Sequence, residues 1–253
     1  MLVQAIKRML PEPMRGPLRE ARRRCLAWLF PVRRVRSFER LRRVTPISRE
    51  WGYDRGQPID RHYIEGFLAK HAADVRGRVL EILDATYTRR FGGDRVTHSD
   101  VLDLDAANRA ATIIGDLASA EHIPADTFDC IICTQTLLLI YDVRAAIQTL
   151  HRIMKPGGVL LATVPGIAHQ ICRYDMDRWG DYWRFTSRSI RRLFEEAFPA
   201  ERVEVIAAGN VLAAIAFLHG LAAEELTRDE IDYQDPDYEL SLCVRAVKPE
   251  RSP

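Results

Sequence analysis

Between Arg78 and Val247, short apolar runs of strand length alternate with stretches whose apolar residues recur at helical spacing, and few architectures accommodate that order. The pattern calls for an α/β fold, a mostly parallel sheet with helices on both faces. Strands are predicted at 78–83, 95–102, 111–116, 128–134, 159–164, 203–207 and 239–247. Phe128 to Thr134 is largely apolar, as a central strand buried on both faces requires.

The helical stretches carry their own punctuation. Asp60 suits an N-cap before Ile64, Phe67, Leu68 and His71, and no partner at i+4 marks His71 as a metal ligand. Val143, Ala146, Ile147, Leu150, Ile153 and Met154 share one face of a helix stopped by Lys155-Pro156-Gly157-Gly158. Thr186 can cap a helix bearing Ile190, Leu193, Phe194 and Phe198, and an Ala-rich helix is predicted over 212–226.

A length of 253 residues suits one large α/β domain with an appendage, or two small domains. No apolar run approaches the roughly 20 residues of a membrane span. Charge is distributed unevenly. Residues 1–46 hold 13 Lys or Arg against 3 acids, whereas residues 47–253 carry a balance of −8. The first part therefore reads as a basic extension with two amphipathic helices, one on Leu2, Ile6 and Met9, the other on Leu18, Ala21, Cys25, Trp28 and Leu29. Its partner would be phosphate, an anionic membrane surface or an acidic protein, unless it folds on its own domain with a solvated Arg face. The acidic remainder, 47–253, has no general affinity for nucleic acid.

Five cysteines without disulfide-framework spacing, and no apolar signal segment, predict a reducing, cytosolic setting, peripheral to a membrane if the arm binds lipid. Cys130 and Cys133 form a CxxC inside the run CIIC, where strand alternation sends them to opposite faces. A core role follows, rather than zinc or redox chemistry, and no metal site is predicted.

The run AEHIPADTFDCIICTQTLLLIYDVRAAIQTLHRIMKPGGVLLATVPG resembles the central part of class I S-adenosylmethionine-dependent methyltransferases, in the branch with a generic small-molecule methyltransferase domain. FDCII matches that family's fourth strand, and HRIMKPGGVLLATVP its helix, PGG turn and fifth strand. DYWRFTSRSIRRLFEEAF resembles a further segment of such relatives, and the likeness extends over about residues 50–247. It implies a Rossmann-like seven-stranded sheet, S-adenosyl-L-methionine as cofactor and a small-molecule methyl acceptor.

The resemblance also implies a set of site residues. Glu81 matches the acid ending the first strand, and the three glycine positions of the following loop are Leu83, Ala85 and Tyr87, with Asp84 between them. Side chains then stand where backbone should approach the ligand, so Tyr87 and Arg89 replace backbone contacts or the pocket is closed. Asp100 takes the ribose role, with Asp103 and Asp105 as competitors; Asp116 meets the adenine amino group, with Leu117 against the ring; Thr134 and Gln135 border the methyl group. The loop after the fifth strand offers His169 as a base, together with Asp175, Asp181, Tyr182 and Arg184. Arg184 either clamps an anionic acceptor or pairs with Asp181.

TQTL stands where relatives that methylate exocyclic amino groups of bases carry a proline-proline-aromatic turn. O-methylation of a small molecule, a glycan or a natural-product intermediate is therefore the leading expectation. A non-catalytic methyltransferase-like module and an RNA-directed enzyme using the basic arm are the alternatives. A nicotinamide dehydrogenase has little support, because no GxGxxG follows a predicted strand.

Overall fold

The computed structural model describes residues 42–169 and 180–250. Its strands are β1 (Gly77–Ile82), β2 (Val96–Asp103), β3 (Ile113–Ile114), β4 (Phe128–Thr134), β5 (Met154–Pro165), β6 (Val203–Ala208) and β7 (Ser241–Val247). They form one sheet in the order β3-β2-β1-β4-β5-β7-β6. Neighbours from β3 to β5 pair in parallel, and β7 runs antiparallel to both β5 and β6. This is the Rossmann-like, mostly parallel sheet that the alternation called for.

Among the described residues the α-helices are α1 (Ile59–Lys70), α2 (Val143–Ile153), α3 (Ser187–Glu195), α4 (Val211–Leu218) and α5 (Arg228–Asp232). On one sheet face Leu80, Ile131, Cys133 and Leu160 pack with Ile147 and Leu150 of α2 and Ile190 and Phe194 of α3. On the other, Val79, Cys130, Ile132 and Leu161 meet Ile64, Phe67 and Leu68 of α1. The two cysteines of CIIC are thus divided between the faces, as period-two alternation demands. Burial raises both thiols, Cys133 to about 12, so neither is poised as a thiolate.

Local cap chemistry survives in the fold. Asp142 accepts from the Ala145 N–H at the start of α2. At α3, Thr186 and Ser189 exchange hydrogen bonds as a capping box, a device worth about 1 kcal/mol.

Among the expected boundaries that move, those of β5 and of the Ala-rich helix do so through non-local contacts. α1 begins at Ile59, with Asp60 inside its first turn rather than capping it. β5 begins at Met154, because Met154 pairs with Phe128 and the Gly157 N–H donates to the Lys248 carbonyl, drawing the PGG segment into the strand. The helix expected to reach residue 226 stops at Leu218. Gly220 there takes φ +69°, and a Cβ on it would lie 2.3 Å from the Ser48 carbonyl oxygen.

The described chain forms two compact units, one of residues 42–62 with Val211–Tyr233 and one of residues 63–210 with 234–250, the latter holding the sheet. The proposed basic extension falls outside the described residues except for 42–46.

At the N-terminal end of the sheet, Asp129 of β4 accepts from Lys155 Nζ of β5 at 2.7 Å and from the Arg78 N–H of β1 at 2.8 Å. Burial alone would raise its pKa, but these donors and the nearby Lys155 and Arg76 charges outweigh it and hold the carboxyl below the ordinary aspartate range. Such a group stabilises the fold above the unfolded aspartate pKa of about 3.9, and the contribution is lost as pH falls through the lower folded value. Because the pair is partly solvated, Asp129→Asn should cost about 1 kcal/mol at neutral pH. Urea unfolding at pH 7 and pH 3 is expected to show that difference shrinking at the lower pH; a pH-independent loss would assign it to packing instead.

Candidate active site

Strand order reverses between β1 and β4, so their adjacent C-terminal ends open a crevice where connections depart in opposite directions. Both ends are strained. Leu83, just beyond β1, has φ +76°, and Gln135, just beyond β4, has φ +49°. A non-glycine residue held in the left-handed region costs on the order of 1–2 kcal/mol, and such strain concentrates where a chain positions a ligand. The other non-glycine residues with positive φ among the described ones, Trp51 and Asp126, lie in other parts of the chain. Gln135 donates its N–H to the Thr163 carbonyl at 2.8 Å, while its side-chain Oε1 is buried without a hydrogen-bond partner.

Glu81 fixes the loop after β1. Its buried carboxylate accepts from the N–H groups of Tyr87 at 3.0 Å and Thr88 at 2.7 Å. Burial raises its pKa, and the Thr88 and Tyr87 donors offset part of that. Glu81 therefore acts on the loop backbone rather than facing the crevice. Ala85 and Tyr87 are also buried, the latter packed with α1 residues and 6.0 Å from the Phe91 ring. Tyr87 is thus a core residue, which corrects the expectation that its side chain meets the ligand. Of the three positions that lack glycine, Leu83 alone is exposed, at 55%. Asp84, also exposed, closes a turn by accepting from the Thr86 N–H.

β2 carries two of the three candidate acids, Asp100 and Asp103. Asp100 lies three residues short of the strand end, opposite Leu80, and its carboxylate accepts from Arg78 Nε at 2.7 Å and Thr112 Oγ1 at 3.0 Å. The acid at the strand end is Asp103, which accepts from the Asp105 N–H at 2.9 Å and Asn108 Nδ2 at 2.6 Å. Asn108 Nδ2 also donates to the Leu83 carbonyl at 2.7 Å, tying the two strand-end loops together. Sequence reasoning passed over Asn108 because a loop asparagine belongs to no periodic pattern. Its one signal was its place five residues after a strand-end acid.

Beyond β3, exposed Asp116 caps a short turn by accepting from the Ala118 N–H at 2.9 Å. Leu117 is turned into the core, so its side chain contributes packing to that rim. Thr134, half-buried, ends β4 opposite Thr163.

The segment after β5 is held against these ends. Tyr182 and Trp183 donate their N–H groups to the Leu138 carbonyl, Phe185 donates to Pro165, and Trp183 Nε1 donates to Ile140 at 3.0 Å. Arg184 makes a fork on Asp181, at 2.6 and 3.2 Å, and also donates to the carbonyls of Ala168, His169 and Trp183. The Asp181 side chain is only 1% exposed. With its donors committed inside the chain, Arg184 is a brace rather than an anion clamp, and Asp181 is its counter-charge. The brace fixes the backbone of His169, whose pKa is lowered by burial and by the Arg184 charge against an opposing influence of Asp181. Burial and the Arg184 charge both favour the neutral imidazole over the imidazolium. Asp175 lies outside the described residues.

A family described as a methyltransferase domain matches residues 53–215. Among solved structures, phosphoethanolamine N-methyltransferase 2 of Haemonchus contortus, in complex with phosphomonomethylethanolamine and S-adenosylhomocysteine, is 15% identical at TM-score 0.50, over 84% of this chain and 57% of its own. A SAM-dependent methyltransferase from Archaeoglobus fulgidus is 11% identical at TM-score 0.49, over 74% and 94%. The cyclase SpnF is 16% identical at TM-score 0.49, over 75% and 82%. No curated protein sequence matches. At 15% identity the Haemonchus contortus structure speaks to the fold alone.

The strain at Leu83 can be measured. Leu83→Gly should raise the unfolding free energy by about 1 kcal/mol, the left-handed penalty less the freedom glycine adds to the unfolded chain. Leu83→Ala should bring no gain, and a loss on Leu83→Gly would show that the leucine side chain is held by packing.

Proposed function

This chain belongs to the methyltransferase-domain family, and on that ground we propose that it transfers a methyl group from S-adenosyl-L-methionine to a hydroxyl oxygen of a small molecule, a glycan or a natural-product intermediate. The observation that carries this reading is the pair of strained residues, Leu83 and Gln135, at the adjacent ends of β1 and β4. When bound, the cofactor supplies a methyl group activated on a sulfonium.

The residues present fit such a group. The β2 rim offers acceptor oxygens on Asp103 and Asp105 for ribose hydroxyls, and Asp116 offers one for an exocyclic amino group. Backbone at Leu83 and exposed Asp84 lie at the end of β1, and the unpartnered Gln135 Oε1 lies beside Thr134 at the end of β4. Ribose recognition moves from Asp100 to Asp103, because Asp100 is engaged mid-strand with Arg78 and Thr112.

Methyl transfer is an in-line displacement that depends on alignment and exclusion of water. In this reading Thr134 and Gln135 border the transferred group, and the neutral His169 imidazole accepts the proton leaving the acceptor hydroxyl. Asp181 and Arg184 act through His169 as positioning residues. The basic segment 1–46 adds a second contact, with an anionic membrane surface or an acidic protein.

The exposed Leu83 side chain favours one competing reading, a methyltransferase-like module that binds ligand without turnover. Formation of S-adenosylhomocysteine in the presence of hydroxyl-bearing metabolite fractions is expected here; cofactor binding with no turnover across such fractions would favour the module. Within the site, Asp103→Ala should weaken S-adenosylhomocysteine binding by about 1–3 kcal/mol, the usual loss for a hydrogen bond to a charged group. Asp100→Ala should leave that affinity unchanged. Titration calorimetry showing the reverse order would return the ribose role to Asp100.

A further inference from the structure

A cavity of about 750 Å³ opens where Arg78, Phe128 and Lys155, at the starts of β1, β4 and β5, face Ile113 and Ile114 of β3 and the loop of residues 122–127. Small-molecule sites usually measure roughly 300–1,000 Å³. The charged end of this cavity lies far from the crevice, because β4 rises by roughly 3.3 Å per residue and so spans about 20 Å between Phe128 and Thr134. Its loop-side wall is held from behind. Arg152 donates to the carbonyls of Ile123 and Ala120 at 2.6 and 2.7 Å, Thr127 Oγ1 to the Pro124 carbonyl at 2.8 Å, and the Thr127 N–H to the Ile153 carbonyl at 2.7 Å. A wall fixed in this way costs an entering ligand little ordering.

The lining divides into two parts. Ile113, Ile114, Ile123 and Pro124 make an apolar side, and Arg78 and Lys155 a cationic one. The Arg78 guanidinium lies 5.4 Å from the centre of the Phe128 ring and gives Nε to Asp100 at 2.7 Å; among the described residues its two Nη groups meet no acceptor. Lys155 Nζ donates once, to Asp129 at 2.7 Å, which leaves two of its three protons. The acids at hand already have cations, Asp100 from Arg78, Asp129 from Lys155 and Asp126 from Lys248 at 2.7 Å. Positive charge is left over, since Arg76 acts on Asp129 from a distance and Arg152 is bound to carbonyls. A carboxylate would use only part of this donor set. A phosphate monoester brings a charge of about −1.5 to −2 and three acceptor oxygens, which suit an arginine fork beside a lysine.

We propose that this cavity binds an organic phosphate monoester, with the phosphoryl oxygens on the Arg78 Nη groups and Lys155 Nζ and an apolar or aromatic body along Ile113, Ile114, Ile123 and Pro124. Such binding does not depend on methyl transfer at the crevice. Titration calorimetry of the full chain with 1-naphthyl phosphate, which does not resemble S-adenosyl-L-methionine, tests it. One site per chain is expected, at least tenfold tighter than for inorganic phosphate or 1-naphthoate, weakened by salt and retained in saturating S-adenosylhomocysteine. Arg78→Gln, and separately Ile114→Glu, which breaks no ion pair, should each weaken binding at least tenfold with the far-UV circular dichroism unchanged. Four results would overturn the proposal: no binding heat at millimolar 1-naphthyl phosphate, 1-naphthoate binding as tightly, displacement by S-adenosylhomocysteine, or folded Ile114→Glu protein that binds like the wild type.

Discussion

The parallel pairing of β1 with β4 governs the rest of this molecule. It places the strand order's point of reversal at the middle of the sheet, sends β2 and β3 to one side and β5, β7 and β6 to the other, and aligns two loops at one end. Both strands are buried on both faces, so their register is fixed by packing from α1 below and from α2 and α3 above. A functional crevice at the strand ends follows from topology before any side chain is considered. The chain then adds strain there, at Leu83 and Gln135.

The loop after β1 shows how a glycine-poor sequence can keep a glycine-type path. Glu81 grips the N–H groups of Tyr87 and Thr88, Asn108 bridges the Leu83 carbonyl to Asp103, and Leu83 adopts the left-handed conformation despite its Cβ. Two of the three added side chains go into the core instead of the crevice, which leaves the outward Leu83 as the principal departure. Stabilising contacts elsewhere must offset that local cost, and the density of hydrogen bonds around the loop is consistent with this.

Much of the fold was legible because it is written in local periodicity. β4 was predicted at its observed limits, α2 carries its apolar face where the spacing put it, and Thr186 caps α3. The site was less legible, since strand ends are set by partners far away in sequence. β2 runs on to Asp103 because it pairs along β1 to Leu102 and then receives the Leu83 N–H, neither of which a reading of VTHSDVLD could reveal. Arg184 and Asp181 were recognisable as a pair by charge, but their burial and the carbonyls they gather depend on tertiary structure. Gly220 ended α4 early for the same kind of reason, a close approach by Ser48.

The sheet unit carries the strained residues Leu83 and Gln135, the strand-end acids and the braced histidine. Everything functional rests on whether the crevice admits its cofactor past Leu83. Calorimetric titration of the wild-type chain with S-adenosylhomocysteine decides that: the account predicts one site per chain with micromolar affinity, and the absence of any binding heat at millimolar ligand would contradict it.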